Sequence, residues 1–123
     1  MNVLVLAYIG DSIYELKIRN HFINLNNVNE LQKIVTKYVS AKGQARFSSY
    51  LIENNILTDE EISVFKRAKN HKSNHKPKNT DIITYKIATG LETVFGYLYL
   101  NNDFKRIDYL INLLFVNQII EGE

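Results

Sequence analysis

The fold of this chain is constrained most by two long apolar segments. Each segment carries a carboxylate at a position where a buried helix would not favour an acid. Asp11 lies within residues 6–16 and Glu92 within residues 85–97, and both segments consist almost entirely of apolar or small residues. We therefore expect both acids to be largely removed from water. A buried carboxylate persists only beside a cation, hydrogen-bond donors or a metal ion. Two such acids in one small chain predict a functional site.

Glycines inside the same segments indicate how the two acids could meet. Glycine within a helix costs about 0.5–1 kcal/mol relative to alanine, so each one needs a structural reason. Close approach of another backbone is the usual reason, and it is expected at Gly10, Gly90 and Gly96. If the two segments pack against each other as helices, Asp11 and Glu92 converge on one cation.

A purely structural explanation of these acids stays open. Glu15 is followed four residues later by Arg19, which predicts an ordinary ion pair within one helix. Asp11 and Glu92 have few cationic neighbours at helical spacing, so the residues alone leave a site and a structural role about equally supported.

Helical spacing of apolar residues dominates the whole chain and predicts an all-α bundle in a single domain, residues 1–123. In the first helix the predicted core stripe is Leu6, Ile9, Ile13 and Leu16; in the fifth it is Ile87, Leu91, Val94 and Leu98. Thr58 and Glu61 form a predicted capping box. The predicted helices span residues 4–22, 29–38, 40–54, 59–68, 81–100 and 104–119.

Composition excludes several classes of site. The 123 residues include no cysteine, so disulfides, thiolate metal sites and cysteine nucleophiles are impossible. No apolar run reaches the roughly 20 residues of a membrane span, and the opening residues lack a basic leader, so a cytoplasmic protein is expected. Residues 62–80 contain six Lys or Arg and no acid, whereas the remainder is acidic, which predicts a polyanionic partner.

Four sequence blocks in order resemble the ribonuclease III family, in its compact Mini-ribonuclease III form without a double-stranded-RNA-binding domain. The blocks cover nearly the whole chain: Leu-Ala-Tyr-Ile-Gly-Asp at 6–11, Tyr-Val-Ser-Ala-Lys-Gly-Gln-Ala at 38–45, Lys-Arg-Ala-Lys-Asn-His-Lys-Ser at 66–73, and 77–81 continuing to 92–99.

The resemblance implies a ribonuclease III-like helical endonuclease that cuts double-stranded RNA with Mg²⁺ and leaves 5′-phosphate ends. It implies that Asp11 and Glu92 are the catalytic, metal-binding carboxylates and that Tyr8 lies in a homodimer interface. Large-subunit (23S) ribosomal RNA precursor is the implied substrate. Classical members carry further acids where this chain has Ala7 and Thr89, which leaves the number of metal ions open.

A duplex is bound mainly through its phosphates and 2′-hydroxyls, and the basic stretch suits that role. The predicted RNA-binding residues are Lys66, Arg67, Lys69, Asn70, Lys72, Ser73, Lys76 and Lys78, with Lys42 and Gln44 as secondary candidates. Two other functions stay open: a non-catalytic duplex-RNA-binding protein on the same fold, and a helical protein-interaction module. Only the nuclease requires Asp11 and Glu92 for strand scission.

Overall fold

The computed structural model describes residues 1–72 and 78–120. These residues form six α-helices and a short 3₁₀ turn, with no strand among them, so the all-α prediction is confirmed. The helices are α1 (Val3–His21), α2 (Val28–Val39), α3 (Ala41–Glu53), α4 (Asp59–Lys69), α5 (Ile82–Leu100) and α6 (Phe104–Val116), and the 3₁₀ turn (Ile23–Leu25) follows α1.

Polar caps fix where the helices begin. The predicted capping box is present: Thr58 Oγ1 accepts from the Glu61 backbone N–H at 3.1 Å, and the Glu61 carboxylate accepts from the Thr58 backbone N–H at 2.9 Å. The same buried carboxylate accepts two further bonds from the Arg106 guanidinium, each at 2.9 Å. This network joins the start of α4 to α6. The sixth helix ends at Val116, earlier than predicted, and Gln118 has a positive φ of 50°.

Helix α5 lies at the centre of the fold and packs against α1, α3, α4 and α6. Its predicted core stripe is confirmed, because Leu91, Val94 and Leu98 are buried and Ile87 packs against the core. The largest fully buried side chains include Tyr14, Tyr38, Phe47 and Phe95.

The predicted core stripe of α1 is wrong in part. Leu16 is 60% exposed, and the buried face of α1 consists of Val3, Leu6, Ala7, Gly10, Tyr14 and Ile18. The small residues on this face allow the closest approach to α5. The face of α1 that packs against α5 is therefore the buried one, and Leu16 lies on the other side of the helix.

Two glycines make the crossing of α1 and α5 possible. A Cβ atom on Gly10 would lie 1.7 Å from the carbonyl oxygen of Glu92, and one on Gly96 would lie 1.9 Å from the carbonyl oxygen of Leu6. The expected close backbone approach is thus confirmed at both positions. Gly90 instead faces the ring of Phe65, at 2.6 Å from its virtual Cβ. Within the described residues, no helix is both long enough and apolar enough to cross a membrane.

Candidate active site

The glycine crossing brings Asp11 and Glu92 together. Asp11 directly follows Gly10, whose α-carbon is packed against the backbone of Glu92. The two carboxyl groups interact through their charges and through a side-chain hydrogen bond. The expectation that both acids are largely buried is wrong for Asp11, which is exposed, whereas Glu92 is partly buried. Asp11 lies on the outer side of the crossing and reaches Glu92 from the solvent side.

The surroundings of Glu92 disfavour its ionised form. Burial, together with charge repulsion from the neighbouring Asp11 carboxylate and a hydrogen bond with it, raises the pKa of Glu92 to about 8. A hydrogen bond from Gln44 acts in the opposite direction. Because the two carboxylates repel each other when ionised, a cation bound between them would be strongly stabilised.

An aromatic layer lies behind the two acids. Tyr14 is fully buried between Phe47 and Phe95, and its hydroxyl donates to the backbone carbonyl of Tyr38 at 2.9 Å. Burial raises the pKa of Tyr14, and the nearby Tyr38 and Glu92 add to the effect. Tyr14 therefore stays neutral and forms a rigid apolar wall for the site.

The residues fit a hard divalent cation. Two oxygen-donor side chains converge, and no group of three or more His, Cys, Asp or Glu that could hold a metal occurs among residues 1–72 and 78–120. Mg²⁺ suits such a sparse set, because it typically binds one or two carboxylates and takes its other oxygens from water and phosphate. Ala7 and Thr89, which replace the classical acids, are both buried, and the Thr89 hydroxyl donates to the Tyr85 carbonyl at 2.9 Å.

Glu15 is accounted for by an ordinary ion pair. Its carboxylate contacts the Arg19 guanidinium one turn along α1, as predicted. Both residues line an open groove that extends from Asp11 along α1.

The placement of Gln44 among RNA-contacting residues is corrected by the structure. Gln44 is 2% exposed, so it is not placed to touch an RNA backbone. Its side-chain amide lies against Glu92 instead, with Nε2 at 3.4 Å from Oε2. The contact joins residues that are 48 positions apart, so helical spacing could not reveal it. The local signal is a long polar amide on the buried face of α3, which also carries Gly43, Phe47, Ser48 and Leu51.

The described part of the basic stretch is on the surface. Lys66, Arg67, Lys69 and Asn70 are exposed at the end of α4, and a shallow groove along this helix is lined by Asp59, Ile62, Ser63, Lys66, Arg67 and Asn70. Lys72, Lys78 and Lys42 are also exposed. Ser73 and Lys76 lie outside the described residues.

Tyr8 is not a core residue. Its side chain is 80% exposed, and Val5 and Leu16 on the same helix are also exposed, as is Met1 just before the helix begins. Exposed apolar side chains of this kind are typical of a surface that is covered by a partner.

Comparison with known proteins identifies the family. The ribonuclease III domain profile matches residues 4–103. The Mini-ribonuclease 3 of Streptococcus pneumoniae is 40% identical over 114 residues, covering 91% of this chain and 89% of that protein. The Mini-ribonuclease 3 of Clostridium tetani is 46% identical over 117 residues, covering 93% of this chain and 76% of that protein.

The fold agrees with a solved structure as well. A crystal structure of a protein from Fusobacterium nucleatum superposes with a TM-score of 0.85 at 35% identity, covering 93% of each chain. Because the domain profile spans most of the sequence and the similar proteins match it nearly end to end, the chain belongs to the ribonuclease III family of endoribonucleases, in its Mini-ribonuclease III group.

Proposed function

We propose that this endoribonuclease cleaves double-stranded RNA with Mg²⁺ held by Asp11 and Glu92. The observation that carries the proposal is the convergence of these two carboxyl groups at the α1–α5 crossing, with the pKa of Glu92 raised to about 8. Mg²⁺ bound there would supply the positive charge that activates water and stabilises charge on the reacting phosphate. The two acids hold the cation, and the rigid crossing keeps their backbones at a fixed separation.

The basic surface supports a duplex as the substrate. The exposed cations of α4 and the residues that follow it suit contacts with phosphates along an RNA helix, which proteins recognise mainly by shape. We infer phosphate contacts for Lys66, Arg67, Lys69, Lys72 and Lys78, with Lys42 as a further candidate. By family resemblance, the natural substrate is the precursor of large-subunit ribosomal RNA.

The functional unit is proposed to be a homodimer. Tyr8 and the exposed apolar side chains near it on α1 form a surface that a second copy of the chain would cover. Asp11 lies on the same helix, so the interface would be close to the catalytic pair.

The decisive experiment combines cleavage and binding. Long duplex RNA is incubated with the protein, with and without Mg²⁺, beside Asp11→Asn and Glu92→Gln. Cleavage by the wild type should require Mg²⁺ and yield 5′-phosphate ends. In each variant the cleavage rate should fall by more than the roughly 10–100-fold that is typical of altering an outer-shell metal partner. Duplex binding in EDTA should be retained.

Asp108→Asn is the matched control, because Asp108 is an exposed surface acid paired with Lys17. It should cleave like the wild type. Duplex binding without Mg²⁺-dependent scission would favour the non-catalytic RNA-binding function instead. No preference for duplex RNA would favour a protein-interaction module.

A further inference from the structure

We infer that Gln44 is a positioning residue that holds the Glu92 carboxylate in its metal-binding orientation. The inference rests on the proposed function of Asp11 and Glu92. Its starting point is the contact between Gln44 Nε2 and Glu92 Oε2, at 3.4 Å. Helix α3 carries the amide and α5 carries the acid, and these two helices pack directly against each other.

The backbone that carries Gln44 is tightly fixed. The Ser40 hydroxyl accepts a hydrogen bond from the Gly43 N–H at 3.1 Å and so caps the start of α3. A Cβ atom on Gly43 would lie 2.1 Å from the carbonyl oxygen of Lys37, so α3 begins in close contact with the end of α2. Gln44 follows immediately and is 2% exposed. Its amide therefore has little freedom to turn away from Glu92.

The chemistry of an amide suits this task better than a charged group would. An ionised carboxylate only accepts hydrogen bonds, so Gln44 meets it with its N–H group. A lysine at this position would neutralise Glu92 and compete with the metal ion. A glutamate would add repulsion to an acid pair that already repels. Glutamine orients one carboxylate oxygen without cancelling the negative charge that attracts the cation.

The neighbouring tyrosine does not serve this purpose. Tyr14 is also close to Glu92, but its hydroxyl donates to the Tyr38 carbonyl at 2.9 Å. The contact of Gln44 with Glu92 thus combines burial, a fixed backbone and a donor group. Outer-shell partners of this kind typically contribute about 10–100-fold to metal affinity or activity.

The test replaces Gln44 by methionine, which keeps the length of the side chain and removes the donor. Mg²⁺ binding is measured by calorimetry without RNA, cleavage is followed against Mg²⁺ concentration, and duplex binding is measured in EDTA. For Gln44→Met, the Mg²⁺ midpoint should rise about 10–100-fold. Duplex binding in EDTA should stay unchanged, and much of kcat should return at saturating Mg²⁺.

Ser48→Ala is the matched control. Ser48 lies one turn further along α3, is fully buried, and its hydroxyl has no hydrogen-bond partner in the described structure. This variant should keep the wild-type Mg²⁺ midpoint. If Ser48→Ala shifted the midpoint as far as Gln44→Met does, the effect would come from core packing and the inference would fail.

A second variant keeps the inference testable if the methionine form does not fold. Gln44→Lys is expected to fold, because its ammonium group would be stabilised by the two acids, and it should raise Tm in EDTA while weakening Mg²⁺ binding more than methionine does. The inference would be overturned if Gln44→Lys bound Mg²⁺ as tightly as the wild type does. It would also be overturned if Gln44→Met bound duplex RNA more weakly in EDTA but kept the wild-type Mg²⁺ midpoint. A wild type that neither binds Mg²⁺ nor cleaves RNA would overturn the proposed function instead.

Discussion

At the scale of single residues, the site is defined by an acid pair that repels itself. Asp11 is exposed to solvent, whereas Glu92 is partly buried. The ionised form is therefore destabilised mainly at Glu92. The hydrogen bond from Gln44 reduces this destabilisation without removing it. The free protein is therefore less stable with the pair ionised than with a cation between the two acids.

The metal-free protein should lose stability as pH rises between about 4.5 and about 8. Glu92 keeps its proton up to about pH 8 in the folded state, whereas the ordinary value is 4.5. Between these values the folded state binds more protons than the unfolded chain, so the free energy of unfolding falls with rising pH. Thermal melts in EDTA at pH 5 to 8 test this.

Asp11→Asn should weaken that pH dependence and raise Tm in EDTA at pH 8, because it removes the charge that repels Glu92. It should also abolish the stabilisation by Mg²⁺ that we expect for the wild type at pH 8. Asp108→Asn, which removes an exposed acid that pairs with Lys17 and not with Asp11 or Glu92, should leave both properties unchanged. A pH dependence that is equal in the wild type and Asp11→Asn would contradict this account.

At the scale of secondary-structure elements, the crossing of α1 and α5 determines where the acids stand. Its geometry depends on glycines that leave no room for a Cβ atom between the two backbones. The rest of α5 anchors the crossing through Leu91, Val94 and Leu98, which are buried in the core. The relative position of Asp11 and Glu92 therefore depends directly on how these two helices pack.

Gly10→Ala or Gly96→Ala should separate α1 from α5 and lower both stability and activity. The added methyl groups would lie within 2 Å of a backbone carbonyl oxygen, so the helices must shift. Such overpacking typically costs about 1–3 kcal/mol, which exceeds the roughly 0.5–1 kcal/mol that alanine gains over glycine in a helix. Urea unfolding and cleavage assays measure the two effects.

Gly90→Ala separates the stability effect from the catalytic one. Its methyl group meets the ring of Phe65 on the side of α5 that faces α4, away from the crossing. We expect lower stability with largely retained activity per folded molecule. Equal losses of activity in all three variants would argue that the crossing has no special role.

The elements also show what could be predicted from the sequence. Apolar residues at helical spacing reveal six helices, because that spacing reports which local segments can bury one face. Gly10 and Gly96 correctly predict the backbone contact, whereas Gly90 makes room for the Phe65 ring instead. The buried face of α1 is misjudged at Leu16, because which side of α1 packs on α5 is a tertiary contact that spacing within one helix does not reveal. The contact between Gln44 and Glu92 is missed, because it depends on how α3 packs on α5.

At the scale of the whole molecule, charge and apolar surface are separated. The cations at the end of α4 lie on an otherwise acidic chain, and exposed apolar side chains lie on α1. The first surface suits a polyanion and the second suits another copy of the protein. Each surface can be altered without touching Asp11 or Glu92, which makes the two roles separable by experiment.

Replacing Lys66, Lys69 and Lys72 by glutamine should weaken duplex binding and flatten its salt dependence. Each lost phosphate contact lowers the slope of log K against log salt by about 1, so the slope should fall by up to about 3. Titrations in EDTA at several salt concentrations provide the measurement. Lys33→Gln, Lys37→Gln and Lys105→Gln combined form the matched control, and an equal loss of slope there would indicate non-specific charge attraction.

Tyr8→Asp should convert the proposed dimer to a monomer. Tyr8 is 80% exposed in the single chain, so a charge there costs little in the monomer but would be buried in the interface. Light scattering coupled to size exclusion gives the mass directly. Val116→Asp alters another exposed apolar side chain, 67% exposed at the end of α6, and should leave the mass unchanged.

The missing space beside Gly10 and Gly96 also limits how this enzyme can diversify. In a library that randomises both codons, functional survivors should carry glycine at each, because any bulkier residue meets a main-chain oxygen. Solvent-facing codons near the end of α1, such as that of Asn20, should accept many replacements. Sequence variation is thus left to the outer surfaces, while the crossing that carries Asp11 and Glu92 must keep its two glycines.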